Sequence, residues 1–288
     1  MARSRSLLFV PSHRERMVEK ALALAADVLL FDLEDGVPPE EKANARGRLA
    51  DILSRPRGGP RRYVRVNAVG TEWWEEDLRA VVAAGCEAVV LPKPNDADDV
   101  RALDRRLSDL EREARREHGS VRVVASVENG AAVLEAVAIA RASGRVEALL
   151  FGPEDYARDL GMPPRRSGEA LDLIYARSAI ANAAAAARVA ALDGVWPDVK
   201  DAAGFRRDAT IGRQLGYAGK SLIHPDQIAP ANEIFTPTDD EVAFARKAVA
   251  AFDEAAAEGR GVLAVDGVLV DAPVIDRARR TLEAAERG

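Results

Sequence analysis

Short runs of apolar and β-branched residues recur along the chain, each followed by a longer stretch of helical period. This alternation narrows the fold more than any other feature of the sequence. The runs are SLLFV (6–10), DVLLFDL (27–33), RYVRVN (62–67), AVVLPK (88–93), RVVASVE (122–128), ALLFG (148–152), VAALDG (189–194) and GKSLIH (219–224). Between them, segments such as HRERMVEKALALA, EWWEEDLRAVVAAG and SGEALDLIYARSAIANAAAAARV place apolar residues at helical spacing and charge on the other face. Eight strands, each followed by a helix within about 230 residues, match the count and length of a (β/α)8 barrel. The expected organisation is therefore an α/β TIM barrel over residues 1–235 with a C-terminal hairpin-helix extension over 236–288. In the extension, TPTDDE reads as a capped acidic first turn opening a helix over 238–258. VLAVDGVLVD then alternates around Asp266-Gly267, a two-residue hairpin signal, and APVIDRARRTLEAA resumes helical period. An appendage of this kind, beyond a complete barrel, is expected to pack on a neighbouring subunit.

Composition excludes several classes of function. With 288 residues, 48% hydrophobic and 31% charged, the chain reads as a soluble globular protein able to bury a sizeable core. No apolar stretch approaches the ~20 residues that span a bilayer. The apolar run behind the basic N-terminus is about five residues, shorter than the ~7–15 of a signal peptide. A cytoplasmic location is the expectation. Cys86 is the sole cysteine, which rules out an intramolecular disulfide, and its place at the head of a strand-like run predicts a buried thiol. A net charge of −6 argues against nucleic-acid binding, and the three histidines, His13, His118 and His224, are too scattered for a His-rich zinc site.

In a barrel of this type chemistry sits at the C-terminal ends of the strands. The polar residues ending the runs are Asp32, Glu34 and Asp35; Arg65 and Asn67; Lys93; Glu128 and Asn129; and Glu154 and Asp155. This acidic set has no sulfur and no paired histidines, so its hard oxygen atoms suit Mg²⁺. If the fifth and sixth strands are neighbours, Glu128 and Asp155 converge on one ion, with positions left for water and substrate. Arg65 offers a planar cationic fork to a carboxylate or enolate oxygen, the alternative being an outward side chain paired with a helix carboxylate. Asp35, Glu154 and Asp155 each have an alternative as helix caps, and Asp201 reads as a cap only. Glu128 does not, because Asn129 can cap the next helix. Lys93, between two prolines, is open to a phosphate or wall contact and to a Schiff-base role.

The segments RSLLFVPSHRERMVEKA, FDLEDGVPPEEKANAR, VRVNAVGTEWWEEDL, VVLPKP, SVENGAAV, LLFGPEDYARDLG and GYAGKSLIHPDQIAPANEIFTPTDDEVAFA, in that order, resemble the citrate lyase beta-subunit-like branch of the HpcH/HpaI aldolase superfamily. Its relatives include malyl-CoA, methylmalyl-CoA and citramalyl-CoA lyases. The resemblance implies that Glu128 and Asp155 are Mg²⁺ ligands and that Arg65 binds substrate and stabilises enolate charge. It further implies that Glu34 and Asp35 hold metal-bound waters, and that Asp271, in VLVDAPVIDRA, is an acid/base contributed by a neighbouring subunit of a homotrimer or hexamer. The chain departs from the family pattern at Ser12, where a glycine is usual, and at SVENG, where IETA is common.

On this resemblance the expected reaction is Mg²⁺-dependent cleavage or formation of a carbon–carbon bond in a 3-hydroxyacyl-CoA thioester such as citramalyl-CoA, malyl-CoA or citryl-CoA, giving acetyl-CoA and a 2-oxo acid such as oxaloacetate. Arg14, Arg16 and Lys93 are the expected contacts for coenzyme A phosphates. Two alternatives stand beside it. One is a metal-dependent pyruvate-type aldolase acting on free hydroxy-keto acids. The other is a citrate lyase beta subunit that depends on an acyl-carrier protein.

Overall fold

The computed structural model describes residues 4–55, 59–163, 171–257, 259 and 261–286. They divide into two compact units, residues 4–232 and 233–286. The first is a closed barrel of eight parallel strands in sequential order. These are β1 (Ser6–Pro11), β2 (Val28–Asp32), β3 (Arg61–Arg65), β4 (Ala88–Leu91), β5 (Arg122–Val127), β6 (Val146–Phe151), β7 (Ala190–Asp193) and β8 (Gly219–Leu222). β8 returns to pair with β1, so no strand edge is left open. All eight strands lie where the alternation predicts, with no boundary shifted by more than two residues. β4 stops at Leu91 because Pro92 has no N–H to extend the ladder.

Parallel strands covered by helices are buried on both faces, which is why β2 reads VLLFD without alternation and is buried throughout. Inside the barrel, Leu7, Val28, Leu30, Val90, Val124 and Leu150 form a packed core rather than a pore. Charge is also buried around it. Arg177, Asp193, Asp208 and Lys220 form a closed set of ion pairs at 2.5–2.9 Å beside β7 and β8. Arg145 is held at 2.7 Å by the buried Glu111. None of this second layer is visible as periodicity, because each partner comes from a different part of the sequence.

Cys86 is fully buried and its thiol donates to the Ala88 carbonyl at 3.1 Å. Burial pushes the thiol up to about 12. The native chain should therefore not react with an aromatic disulfide reagent at pH 8, and should react with one equivalent on denaturation; fast native labelling would contradict the burial.

The second unit holds the helix Asp239–Ala257, a two-stranded antiparallel hairpin, Leu263–Val265 and Val268–Val270, and the helix Ala272–Glu286. Thr238 and Glu241 form a reciprocal cap at the first helix, with bonds of 2.7 and 3.2 Å. Residue 258, the expected last position of that helix, lies outside the described residues, as do 167–170 of the helical segment expected over 167–189. Asp266 and Gly267 both have positive φ, +49° and +80°, the geometry of the tight hairpin turn that their sequence predicts. Among the described residues no helix is long and apolar enough to cross a membrane.

Candidate active site

The ends of β2, β3, β5 and β6 face a cavity of about 320 Å³, within the roughly 300–1,000 Å³ usual for small-molecule sites. Asp32, Arg65, Glu128 and Asp155 line its polar side, and Phe9, Met17, Val195 and Ile223 its apolar side. A smaller cavity of about 120 Å³ adjoins the N-terminal ends of β3 and β4. Its arginines are committed elsewhere, Arg61 to the Tyr63 hydroxyl and Arg62 to the carbonyls of Ile52 and Arg55.

Asp32 and Arg65 are register partners at the ends of adjacent strands. The guanidinium lies over the Phe9 ring, 4.7 Å from its centre, on the cavity side rather than among the helices. Asp32 Oδ1 accepts from Arg65 Nε at 2.7 Å and from the Glu34 N–H at 2.9 Å. Oδ2 accepts from Arg65 Nη2 at 2.7 Å and from the Gly36 N–H at 2.9 Å. Every acceptor direction of this buried carboxylate is thus used. Burial opposes its charge, but the Arg65 guanidinium outweighs burial and holds the carboxyl below its ordinary range. A Cβ at Gly36 would lie 2.4 Å from Oδ2, so the turn requires glycine there. In the sequence Asp32 is a strand end without an assigned role. The available signal was a carboxylate and an arginine in matched positions on consecutive strands.

Glu34 and Asp35 leave β2 in a turn fixed from behind by Lys42, whose ammonium donates to the carbonyls of Leu33 and Glu34 at 2.8 and 2.9 Å and to Asn67 at 2.7 Å. Asn67 also bonds Asp77, so this strand-end residue serves the scaffold and not the cavity. Glu34 is buried and bridges Arg65 Nη1 at 3.0 Å and Lys93 Nζ at 2.6 Å. Asp35 is exposed, pairs with Lys93 at 2.7 Å, and makes no helix cap. Lys93 has a φ of +51°, a left-handed conformation that costs a lysine roughly 1–2 kcal/mol. Burial lowers its ammonium, but the hydrogen bonds it donates to Asp35 and Glu34 more than reverse this and hold it above the ordinary lysine range. A Schiff-base amine must be neutral, so this environment is wrong for one.

β5 and β6 are neighbours, which places Glu128 and Gly152 side by side one residue past the paired strand ends. Glu128 is 3% exposed, and its Oε2 has no hydrogen-bond partner. Burial, reinforced by the like charges of Glu34 and Asp155, pushes its carboxyl up to about 8 despite Ser126 and Arg65. A buried carboxylate oxygen without a donor, in a cavity with a second carboxylate, fits a hard cation. Asp155 lies in the first turn of the helix Pro153–Asp159, caps nothing, and pairs with the exposed Arg158 at 2.5 Å. Among the described residues no three His, Cys, Asp or Glu side chains form a group that could hold a metal by themselves. Two carboxylates completed by water and substrate suffice for an ion that keeps much of its hydration.

The close approach of the two strands depends on Gly152, where a Cβ would lie 2.3 Å from Glu128 Cγ. Gly152→Ala should therefore displace Glu128 and weaken divalent-cation binding about tenfold or more while the barrel stays folded; wild-type affinity in a calorimetric titration would contradict this contact.

The remaining expected residues have local roles. Asn129 caps the helix Gly130–Leu134 through the Ala132 N–H at 2.7 Å, and Asp201 caps the helix Ala202–Gln214 through the Gly204 N–H at 2.8 Å. Glu154 is exposed beside Asp155 in the first turn of the helix Pro153–Asp159. Arg14 and Arg16 are exposed at the start of the helix that follows β1. In the second unit Asp271 Oδ1 accepts from the Val274 N–H at 3.2 Å, an N-cap of the last helix.

Comparison with known proteins gives the family. Residues 5–225 match the family model HpcH/HpaI aldolase/citrate lyase. The chain is 42% identical to the citrate lyase subunit beta of Escherichia coli (strain K12), over 98% of this chain and 93% of that protein. It is 38% identical to the (3S)-malyl-CoA thioesterase of Cereibacter sphaeroides (strain ATCC 17029 / ATH 2.4.9), over 98% and 94%. The crystal structure of CitE from Mycobacterium tuberculosis in complex with magnesium, acetoacetate and coenzyme A superposes with a TM-score of 0.78 at 32% identity, over 98% of this chain and 97% of that one. With a closed eight-stranded barrel, strand-end carboxylates around an arginine, and nearly full-length identity of this order, the chain belongs to the HpcH/HpaI aldolase/citrate lyase family and is an enzyme of its citrate lyase beta-like kind.

Proposed function

We propose that this chain is a Mg²⁺-dependent carbon–carbon lyase acting on a 3-hydroxyacyl-CoA thioester, with citramalyl-CoA, malyl-CoA and citryl-CoA as the candidate substrates. The observation that carries the reading is the buried Glu128 Oε2, unpartnered in a cavity it shares with Asp155 and Arg65. Magnesium and coenzyme A in the M. tuberculosis relative support the choice of ion and carrier.

Glu128 and Asp155 would hold the ion, which would supply Lewis-acid polarisation to the hydroxyl oxygen on the carbon whose bond to the thioester fragment breaks. Cleavage converts the hydroxyl-bearing fragment into a 2-oxo acid as the hydroxyl proton leaves, and the bond's electron pair passes to the thioester fragment as its enolate. Arg65, held by Asp32 and Glu34, lines the cavity and would donate an N–H that these carboxylates leave over to the oxygen on which that charge develops, stabilisation available without reorganisation. Glu34 and Asp35 would orient metal-bound water. Asp271, delivered by a neighbouring copy in a homotrimer or hexamer, would exchange the proton at the enolate carbon and so complete acetyl-CoA. Arg14 and Arg16 have the exposure needed to meet coenzyme phosphates; Lys93 was expected to share that contact but is held by two carboxylates. A cytoplasmic location belongs to the same reading.

Asp271→Asn separates the proposed acid/base role from the cap. Asparagine caps a helix as well as aspartate does, so stability and Mg²⁺ affinity should stay near wild type. Loss of general acid/base catalysis should lower turnover about 10²–10⁴-fold. Unchanged turnover would leave Asp271 as a cap alone.

Incubating the purified chain and Mg²⁺ with the three thioesters tests the whole reading, and release of acetyl-CoA with glyoxylate, pyruvate or oxaloacetate is the expected result. Cleavage of none would sink it. Cleavage only of an acyl-carrier-bound citryl group would favour dependence on a partner, to which the identity with E. coli citrate lyase subunit beta lends weight. Aldol cleavage of a free hydroxy-keto acid would favour the pyruvate-type aldolase. The C. sphaeroides relative adds a fourth outcome, hydrolysis to coenzyme A and a free acid.

A further inference from the structure

Lys93 is a cation set among three carboxylates, one of which, Asp155, lines the cavity, and the backbone directs it there. Pro92 and Pro94 flank it, and its own left-handed φ of +51° turns the side chain out of the line of β4. The ammonium stands 2.6 Å from Glu34 Oε1, 2.7 Å from Asp35 Oδ2 and 3.9 Å from Asp155 Oδ1. These three residues come from two different strand ends, and Lys93 is the group that all of them face. Glu34 has its other oxygen on Arg65, so the ammonium and the guanidinium together hold it between β3 and β4. A phosphate approaching Lys93 would have to displace two carboxylates already in contact.

We propose that Lys93 is a positioning residue of the metal site, its ammonium group fixing Glu34 and Asp35 beside Asp155 and filling the place among these carboxylates that a second divalent cation would otherwise take. The proposal rests on the reading of Glu128 and Asp155 as metal ligands and adds to it a reason for a single ion. Without the ammonium, the Glu34 and Asp35 oxygens now 2.6 and 2.7 Å from it would lose their shared counter-charge, with the Asp155 oxygen 3.9 Å from the same point, and two carboxylates completed by water suffice for a hydrated divalent cation. A tethered ammonium satisfies the same carboxylates with one charge, and in the right direction for both hydrogen bonds. It also leaves the Glu128 side of the cavity with a less negative field, which limits how tightly the first ion is held and keeps it exchangeable with solvent and substrate.

The test is a titration of Mn²⁺, a paramagnetic probe for oxygen-ligand sites, into the purified full chain without substrate, free ion being read by electron paramagnetic resonance. The wild type should take up one Mn²⁺. Lys93→Met keeps the aliphatic stem and removes the charge, and Lys93→Asn removes the charge with a residue that tolerates positive φ. Both should bind the first Mn²⁺ about tenfold more tightly and take up a second, whereas Lys93→Arg should behave as wild type. Thermal unfolding identifies which of the two uncharged variants is folded. One Mn²⁺ of wild-type affinity in a folded uncharged variant, or loss of Mn²⁺ from it, would overturn the proposal. A wild type that binds no Mn²⁺, or that still binds it after Glu128→Gln, would overturn the metal reading itself.

Discussion

Glu128→Gln should lower Mg²⁺ affinity about a hundredfold or more and remove all Mg²⁺-dependent binding of a 2-oxo acid, while the barrel remains folded. The glutamine fills the same space against Gly152, where a shorter or bulkier side chain would leave a gap or a clash. It removes the charge from an oxygen that no protein donor satisfies. Since burial holds this carboxyl up to about 8 in the absence of a cation, the wild type gains nothing in stability from keeping it. The variant should therefore unfold, without metal, at a temperature no lower than the wild type. Asp155→Asn should weaken the same ion, and in addition free Arg158, its partner at 2.5 Å. Wild-type metal affinity in both variants, measured calorimetrically, would refute the site.

Arg65→Lys should lower kcat about 10²–10³-fold, the range for loss of a preorganised donor to a developing oxyanion. The charge is conserved, so an effect of this size must come from geometry. Arginine delivers Nε and Nη2 to the two oxygens of Asp32, both at 2.7 Å, and with Nη1 on Glu34 at 3.0 Å this fixes the plane of a guanidinium that lines the cavity. An ammonium can satisfy Asp32 or the cavity, not both in a set plane. One acceptor of a buried carboxylate is then left without its donor, a cost of about 1–3 kcal/mol in stability. The variant should keep Mg²⁺ affinity within a few-fold of wild type, because Glu128 and Asp155 are untouched. Full activity in Arg65→Lys would show that the guanidinium acts only as a charge.

The barrel was legible because each βα unit writes its own local signal, and eight in succession leave little room for another topology. The placement of Glu128 followed from the same logic: a polar residue directly after a run buried on both faces has only the barrel mouth to go to. Asp35 and Lys93 were harder. Their loops carry proline, glycine and acidic residues that serve equally as turns and as caps, and only the pairing of two loops from different strands shows that the aspartate meets a lysine rather than a helix N-terminus. Lys93 read as a cation for a distant phosphate because nothing in LPKP announces its left-handed backbone. Asp32 and Lys42 went without roles for a related reason. Their partners, Arg65 and Asn67, lie more than twenty residues away, and what unites them is strand register, which appears in the fold and not in any local pattern.

The central claim is that Glu128 and Asp155 are the protein ligands of one Mg²⁺ that presents a 2-oxo acid to Arg65. A crystal structure of the full chain with Mg²⁺ and oxaloacetate tests it most directly. The predicted result is a six-coordinate ion with one oxygen from each of Glu128 and Asp155 at about 2.0–2.1 Å, the oxo acid and water completing the shell, and Arg65 in hydrogen-bond contact with the bound acid. An ion held instead by Glu34 and Asp35 with Lys93 displaced, or oxaloacetate bound with no ion at Glu128, would contradict it.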